Sequence, residues 1–518
     1  MTFRGFMFVC AAMAAGSALA QKAMPEAITT DRLKAHLEFV ASGLMEGRDT
    51  PSRGLDTTAL YIATQLKLWG VQPGGDNGTY FQSYVLSRAS TDSATTSLKL
   101  GGRDLAYGTE FFARPNAGAI EGDLVFVGHG WQVPAKGIDP YKGVDVRGKV
   151  LLVLSGYPKD VTFRQARQGG AAYVSPQAAA QKLGAKGVVM VYSSDDEVAS
   201  QARTYGRAAG FQVLSGDPAI AKVPTVGVGP TALAPVLKGG FSVASFQALI
   251  ESKGEGVSGR VGASVSGTVG IQGDVRTTQN VVGYLPGTDP VLKNEYVLYG
   301  AHYDHLGMAA DGKTIYYGAD DDGSGTTGEL EIAHAYAIAP RTKRSVMFVW
   351  HSGEEKGLWG SQTFVARPPI DLKNAVAQLN VDMIGRSKPA GDIDPRDAKL
   401  TPPGGTFVMG PFFTSPELGQ VMEDVNRGYL NLKLDKYYER FDEPERLFFR
   451  SDHYNYAQAG IPVVFFFSGL HKDYHQPSDT VDKIDFENQR KIASTIYMIG
   501  QRLATQPNRP KFVNNMRG

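Results

Sequence analysis

From about Val275 onward the chain alternates short, continuously apolar runs with amphipathic ones, and this alternation limits the fold more than any other feature. The apolar runs are "NVVGYLPG", "EYVLYGAHYD", "RSVMFVWHS", "AVAQLNVDMIG" and "IPVVFFFSG". Each has strand length and reads as a strand buried on both faces. Between and after them lie "SGTTGELEIAHAYAIA", "SPELGQVMEDVNRGYL" and "FENQRKIASTIYMIGQRL", which read as helices. Buried strands alternating with helices predict an α/β domain on a mainly parallel sheet.

In such sheets ligands bind beyond the carboxyl ends of the strands. Those ends collect one kind of residue. "YVLYGAHYDHLG" supplies His302 and Asp304, and "GADDDGSG" supplies Asp320, Asp321 and Asp322. "FVWHSGEE" supplies Glu354 and Glu355, "QLNVDMIG" supplies Asp382, and "LHKDYHQPSDT" supplies Tyr474 and His475. Each alone has an ordinary explanation: a core histidine, a helix N-cap for the aspartates, a solvated loop for the glutamates. Convergence at five strand ends favours one metal site over five coincidences. Two histidines and three carboxylates suit zinc or a similar divalent ion. Three carboxylates and one hydroxide cancel the charge of two dications, so a two-metal site can be buried. Asp304, two residues past His302, is spaced to hold the other imidazole nitrogen. "GSGTTG" (323–328) matches a dinucleotide-binding pattern, but the three aspartates before it would repel phosphate.

The motifs "GAHYDHLG", "GADDDGSGT", "HSGEEKGLWGSQ", "NVDMIG", "SDHYNYAQAGIP" and "YHQPSDT" follow one another from His302 to Thr480. Together with "GLMEGRDTPSRGLDTTALYIATQLKLWG" they resemble the dinuclear zinc exopeptidases, the family of secreted bacterial aminopeptidases and glutamate carboxypeptidase-like proteins. The resemblance implies a three-layer α/β sandwich, two Zn2+ ions (other divalent metals being possible) and peptide substrates. It implies one metal on His302 and Asp382, a second on Glu355 and His475, and Asp321 as the bridge. It implies Glu354 as general base, taking a proton from the attacking water and returning it to the leaving amine. Tyr474 resembles a residue some members use to stabilise the oxyanion, and a cis peptide is implied after Asp321. The resemblance favours an aminopeptidase. Alternatives are a carboxypeptidase or dipeptidase, which would need cations such as Arg440, Arg446 or Arg450, a non-catalytic binding ectodomain, and a single-zinc glutaminyl cyclase.

The 518 residues suggest more than one domain. "GDLVFVGHGW", "GKVLLVLSG", "AQKLGAKGVVMVYSS" and "VPTVGVG" resemble the β-rich protease-associated domain that some members carry. The expected organisation is 21–118 and 271–518 for the peptidase domain, with the insert at 119–270. Residues 1–20, "MTFRGFMFVCAAMAAGSALA", have a charged start, an apolar run and a small-residue exit, the layout of a signal peptide. Export to a periplasm or the extracellular medium is therefore expected. Cys10, the one cysteine, lies in that segment, so the mature protein would carry no disulfide. Lys and Arg (53) balance Asp and Glu (52), giving no electrostatic case for nucleic acid or an anionic membrane as partner. Oligomeric state and side-chain preference leave no mark in the sequence.

Overall fold

Each of the five apolar runs forms a strand of one sheet. The computed structural model describes residues 25–515 except 169–171, 208–209, 214–222, 238–241 and 441, so the expected signal segment lies outside the described residues. Two compact units result, one from residues up to Tyr84 and from Thr277 onward, the other from Val85 to Arg276.

The strands of the first unit are β1 (Ile271–Leu285, which enters this unit at Thr277), β2 (Tyr296–His302), β3 (Ser345–His351), β4 (Ala375–Val381), β5 (Gly405–Met409), β6 (Lys433–Asp435) and β7 (Val463–Phe467). They lie in the order β6-β5-β7-β4-β2-β3-β1. The central four are parallel: β2 pairs with β3 and β4, and β4 with β7. β1 joins β3 and β5 joins β7 in antiparallel fashion. The sequence reading lacked β5 and β6, which are short and lie at one edge.

Alternation along the strands builds three layers. Val346, Phe348 and Trp350 of β3 point into one apolar cluster, Met347 and Val349 into another. The first cluster takes Leu33 of α1 (Thr30–Val40), Leu55 and Ile62 of α2 (Arg53–Leu68) and Leu330 of α3 (Gly325–Ile338). The second takes Phe364 of α4 (Trp359–Ala366) and Tyr456 of α6 (His453–Gln458). α5 (Pro416–Gly428) and α7 (Phe486–Thr505) pack Leu418 and Ile496 on the first side. Each such side chain contributes roughly 1.5–3 kcal/mol by burial. α3 is buried almost all round from Gly325 to Ala333 and fastens to the sheet where Trp350 Nε1 donates to the Thr326 carbonyl at 3.1 Å.

The second unit has its own sheet. Strands 118–126, 150–154, 187–191 and 225–228 run parallel, and 259–269 pairs antiparallel with 118–126. The boundaries expected at 119 and 270 fall inside this unit, which also takes in 85–118. The reason is pairing: strand 97–100 joins 259–269, and strand 111–113 joins 225–228.

Candidate metal centre

The sheet delivers its polar residues to one place. His302 is the last residue of β2, and Glu354 and Glu355 follow β3. Asp382 follows β4, Asp321 precedes α3, and His475 lies in the loop after β7.

Two groups of donors share one carboxylate. Asp321 Oδ1 lies 3.3 Å from His302 Nε2, which is 3.5 Å from Asp382 Oδ1. Asp321 Oδ2 lies 3.0 Å from His475 Nε2, which is 3.1 Å from Glu355 Oε2. Metal–ligand distances of about 2.0–2.1 Å place neighbouring donors of a tetrahedron about 3.3–3.4 Å apart. The spacings here fit that requirement on both sides of Asp321. Buried Glu355 Oε1 and His475 Nε2 also have no hydrogen-bond partner, as expected of atoms aimed at a cation.

Asp320 and Asp322 face elsewhere. Asp320 Oδ1 accepts from the Gly385 amide at 2.7 Å and from Ser324 Oγ at 2.9 Å. Asp322 accepts from the amides of Gly325 and Met383, each at 2.9 Å. Only Asp321 of the three turns its carboxylate into the group, and the Asp321–Asp322 peptide is cis.

Around these donors sit the remaining expected residues. Glu354 Oε2 is 3.9 Å from His302 Nε2. Asp304 departs from its expected place: its carboxylate is 3.7 Å from His302 Nδ1, whereas its backbone carbonyl is at 3.2 Å. That carboxylate instead accepts the Glu354 amide at 3.1 Å, which fixes the turn carrying both glutamates. Tyr474 stacks on His475 at 3.9 Å between ring centres and accepts a hydrogen bond from Arg450 Nη2 at 3.0 Å. Ser451 donates to Asp382 Oδ2 at 2.7 Å and so leaves Oδ1 to face His302.

The sequence reading missed His305. It is fully buried, with Nδ1 2.8 Å from Glu355 Oε1 and 3.9 Å from Asp321 Oδ2. The signal was a second histidine inside "HYDHLG", three residues past His302.

The electrostatics favour a cation. Burial opposes charge on His302, but Asp382 and Glu354 outweigh it and raise the imidazole well above its usual range. His475 is pushed up to about 10 against its own burial, by Asp321 and Glu355. Burial also disfavours charge on Asp321, yet His302 and His475 hold its carboxyl well below the ordinary range. Burial pushes Glu354 well up, and the adjacent charge of Glu355 adds to the effect. Carboxylates that drag protons onto imidazoles form a site where a metal ion can replace those protons. A cleft of about 50 Å³ beside the donors is lined by Met383, Leu447, Phe465, Phe467 and Leu470, with Arg450 and Tyr474.

Two carboxylate–imidazole groups joined by one aspartate, at the strand ends of an α/β sheet, are a donor set suited to a metal-dependent hydrolase. Residues 280–499 match the model of Peptidase family M28. The chain is 30% identical over 234 residues to leucine aminopeptidase 1 of Ajellomyces dermatitidis, covering 43% of this chain and 56% of that protein. It is likewise 30% identical over 207 residues to a probable leucine aminopeptidase of Arthroderma otae, covering 38% and 50%. The chain thus spans about half the length of the curated relatives it matches. Among solved structures, an aminopeptidase from Aneurinibacillus sp. strain AM-1 is 19% identical, with 95% of this chain and 97% of that chain covered and a TM-score of 0.45. The zinc aminopeptidase from Bacillus subtilis is 18% identical, with 92% and 96% covered and a TM-score of 0.45.

Proposed function

We propose that this chain is a zinc-dependent aminopeptidase. The observation that carries the reading is the pair of donor groups sharing Asp321, with Glu354 beside them. His302 and Asp382 would hold one ion, Glu355 and His475 the other, and Asp321 both. When bound, the ions supply Lewis acidity that polarises a peptide carbonyl and lowers the pKa of water.

The protein's own groups do the rest. Glu354, a buried carboxyl, takes a proton from the attacking water and delivers it to the leaving amine. The Tyr474 hydroxyl donates to the oxygen that gains charge on the scissile carbonyl. Asp304 keeps Glu354 in place through its backbone amide. Met383, Leu447, Phe465, Phe467 and Leu470 form the apolar side of the cleft and would take the side chain of the N-terminal residue, which favours leucine-like substrates. The names of the fungal relatives agree with that preference.

One observation favours a second reading. Arg450 lines the same cleft and would suit the carboxylate of a carboxypeptidase substrate. Arg440 has less claim, because it is paired with Asp442 at 2.8 Å. The deciding experiment is hydrolysis of one peptide in free, N-blocked and C-blocked forms. An aminopeptidase loses activity only on N-blocking. Loss only on C-blocking would replace the reading with a carboxypeptidase.

The second unit is proposed to be a protease-associated domain, supported by its β-rich sheet and by containing none of the proposed ligands. Export is proposed from the pattern of residues 1–20. No helix among the described residues is long and apolar enough to cross a membrane.

A further inference from the structure

We propose that His305 is a fourth protein donor to the metal position of Glu355 and His475. The protein then closes that position and leaves the position at His302 open. The inference rests on the two-metal reading above.

Three observations carry it. First, both ring nitrogens of His305 are buried without a hydrogen-bond partner. Nδ1 sits 2.8 Å from Glu355 Oε1, yet the pair lacks hydrogen-bond geometry. Two donors that approach without bonding each other are placed as ligands of a shared cation are. Second, His305, Asp321 and Glu355 form one close group of donors, with His305 Nδ1 2.8 Å from Glu355 Oε1 and 3.9 Å from Asp321 Oδ2, while His475 Nε2 lies 3.0 Å from Asp321 Oδ2 and 3.1 Å from Glu355 Oε2. These bracket the tetrahedral edge of about 3.3–3.4 Å. Third, the ring is held by design of the surrounding backbone. The His305 amide donates to the Arg48 carbonyl at 3.1 Å. The buried Arg48 guanidinium in turn donates to the carbonyls of Tyr303, Tyr317 and Gly318. Gly318 leaves room for the imidazole, since a Cβ there would come within 2.5 Å of His305 Cγ.

The consequence is asymmetry. One position has four protein donors. The other has His302, Asp382 and Asp321 Oδ1, three donors, with Glu354 Oε2 alongside at 3.9 Å from His302 Nε2. Closed four-ligand positions hold metal structurally, and three-ligand positions keep a place for water or substrate. The general base then stands beside the open position, where a reacting water is wanted.

The test is titration of the metal-free full chain with Co2+ alone, followed by visible absorption and paramagnetic proton NMR. The wild type should take up two ions in separable steps, the tighter giving the intense bands of four-coordinate Co2+. Three exchangeable, strongly shifted imidazole N–H signals should be present when both positions are filled. His305→Ala should keep the near-ultraviolet circular dichroism of the metal-free protein and remove one signal. It should weaken the tighter step by more than the ~10–100-fold typical of losing an outer partner of a ligand. Two imidazole signals in the wild type would overturn the role of His305 without needing the variant, and so would unchanged steps in His305→Ala. A wild type that binds no metal would overturn both this inference and the two-metal reading.

Discussion

Replacing Glu354 with glutamine separates chemistry from metal binding. Its side chain is 10% exposed, and its Oε2 lies 3.9 Å from His302 Nε2, farther than the Asp321 and Asp382 carboxylates at 3.3 and 3.5 Å. The backbone amide is held by Asp304 at 3.1 Å, so the main chain stays in place when the side chain changes. Glutamine has the same shape but cannot accept the proton of water. kcat should fall by ~10²–10⁴, the usual cost of losing a positioned acid–base group. That corresponds to about 2.7–5.5 kcal/mol of transition-state stabilisation. KM should change little, because the cleft contacts remain. Stability of the metal-free protein should not drop, since burial already disfavours the ionised carboxylate. The assay is kcat on leucine 4-nitroanilide, with bound metal measured on the same samples by mass spectrometry. A Glu354→Gln enzyme within tenfold of wild type at full metal content would refute the general-base role. Loss of metal in step with activity would make Glu354 a ligand instead.

Glu355→Gln should act in the opposite order: metal affinity falls first, and excess zinc partly restores activity in the same assay. Exhaustive chelation should abolish turnover, and saturating zinc should raise the melting temperature; an ion at a thousand times its Kd adds about 4 kcal/mol, measurable by thermal denaturation. Glu331→Gln tests a buried pair away from the site, where Arg32 Nε and His36 Nε2 reach Glu331 at 2.9 and 3.1 Å. Arg32 is 37% exposed, so the cost should be roughly 2–3 kcal/mol, below the ~3–5 of a fully buried pair. Burial works against Glu331 ionisation, but His36 and Arg32 prevail and lower its pKa in the folded state. The stabilisation is therefore present above the ordinary glutamate pKa and is lost as pH falls through the lowered one; urea unfolding of wild type and variant should converge in acid. Arg48→Lys should cost about 3–5 kcal/mol in the same urea assay, because lysine cannot reach the four carbonyls of Val40, Tyr303, Tyr317 and Gly318 together.

The sheet and most of the site were legible for one reason. Parallel strands are buried on both faces, so their apolar runs stand out, and the polar residue that ends each run marks the ligand side. Where that contrast is missing, the sequence is silent. Lys433–Asp435 is three partly exposed residues, and 97–100 and 111–113 are too short to show a period, so the edge strands and the start of the second unit at Val85 went unread. Asp320, Asp321 and Asp322 are chemically alike, and only amides from Gly385, Gly325 and Met383, distant in sequence or past a turn, separate their roles. His305 follows the strand by three residues in a loop, where no spacing rule says which way a ring points.

The adjacency of Glu354 and Glu355 has a physical basis in the turn that carries them. The Glu354 carbonyl accepts from the amides of Gly357 and Leu358, each at 2.9 Å, and Lys356 pairs with Asp49 at 2.8 Å. Asp304 holds the same turn from the strand side. Neighbouring side chains on so constrained a backbone diverge: Glu354 reaches toward His302, while Glu355 lies between His305 and His475. One peptide unit therefore sets the distance between the proposed proton acceptor and the donor group of Glu355 and His475. If His305 closes that group, the ion there acts as a fixed post for Glu355, and through the turn it fixes Glu354 against the open position. Metal loss at the closed side should then misplace the base even while His302 and Asp382 stay intact. Occupancy of the closed position becomes a condition for chemistry at the open one, although no substrate atom touches His305.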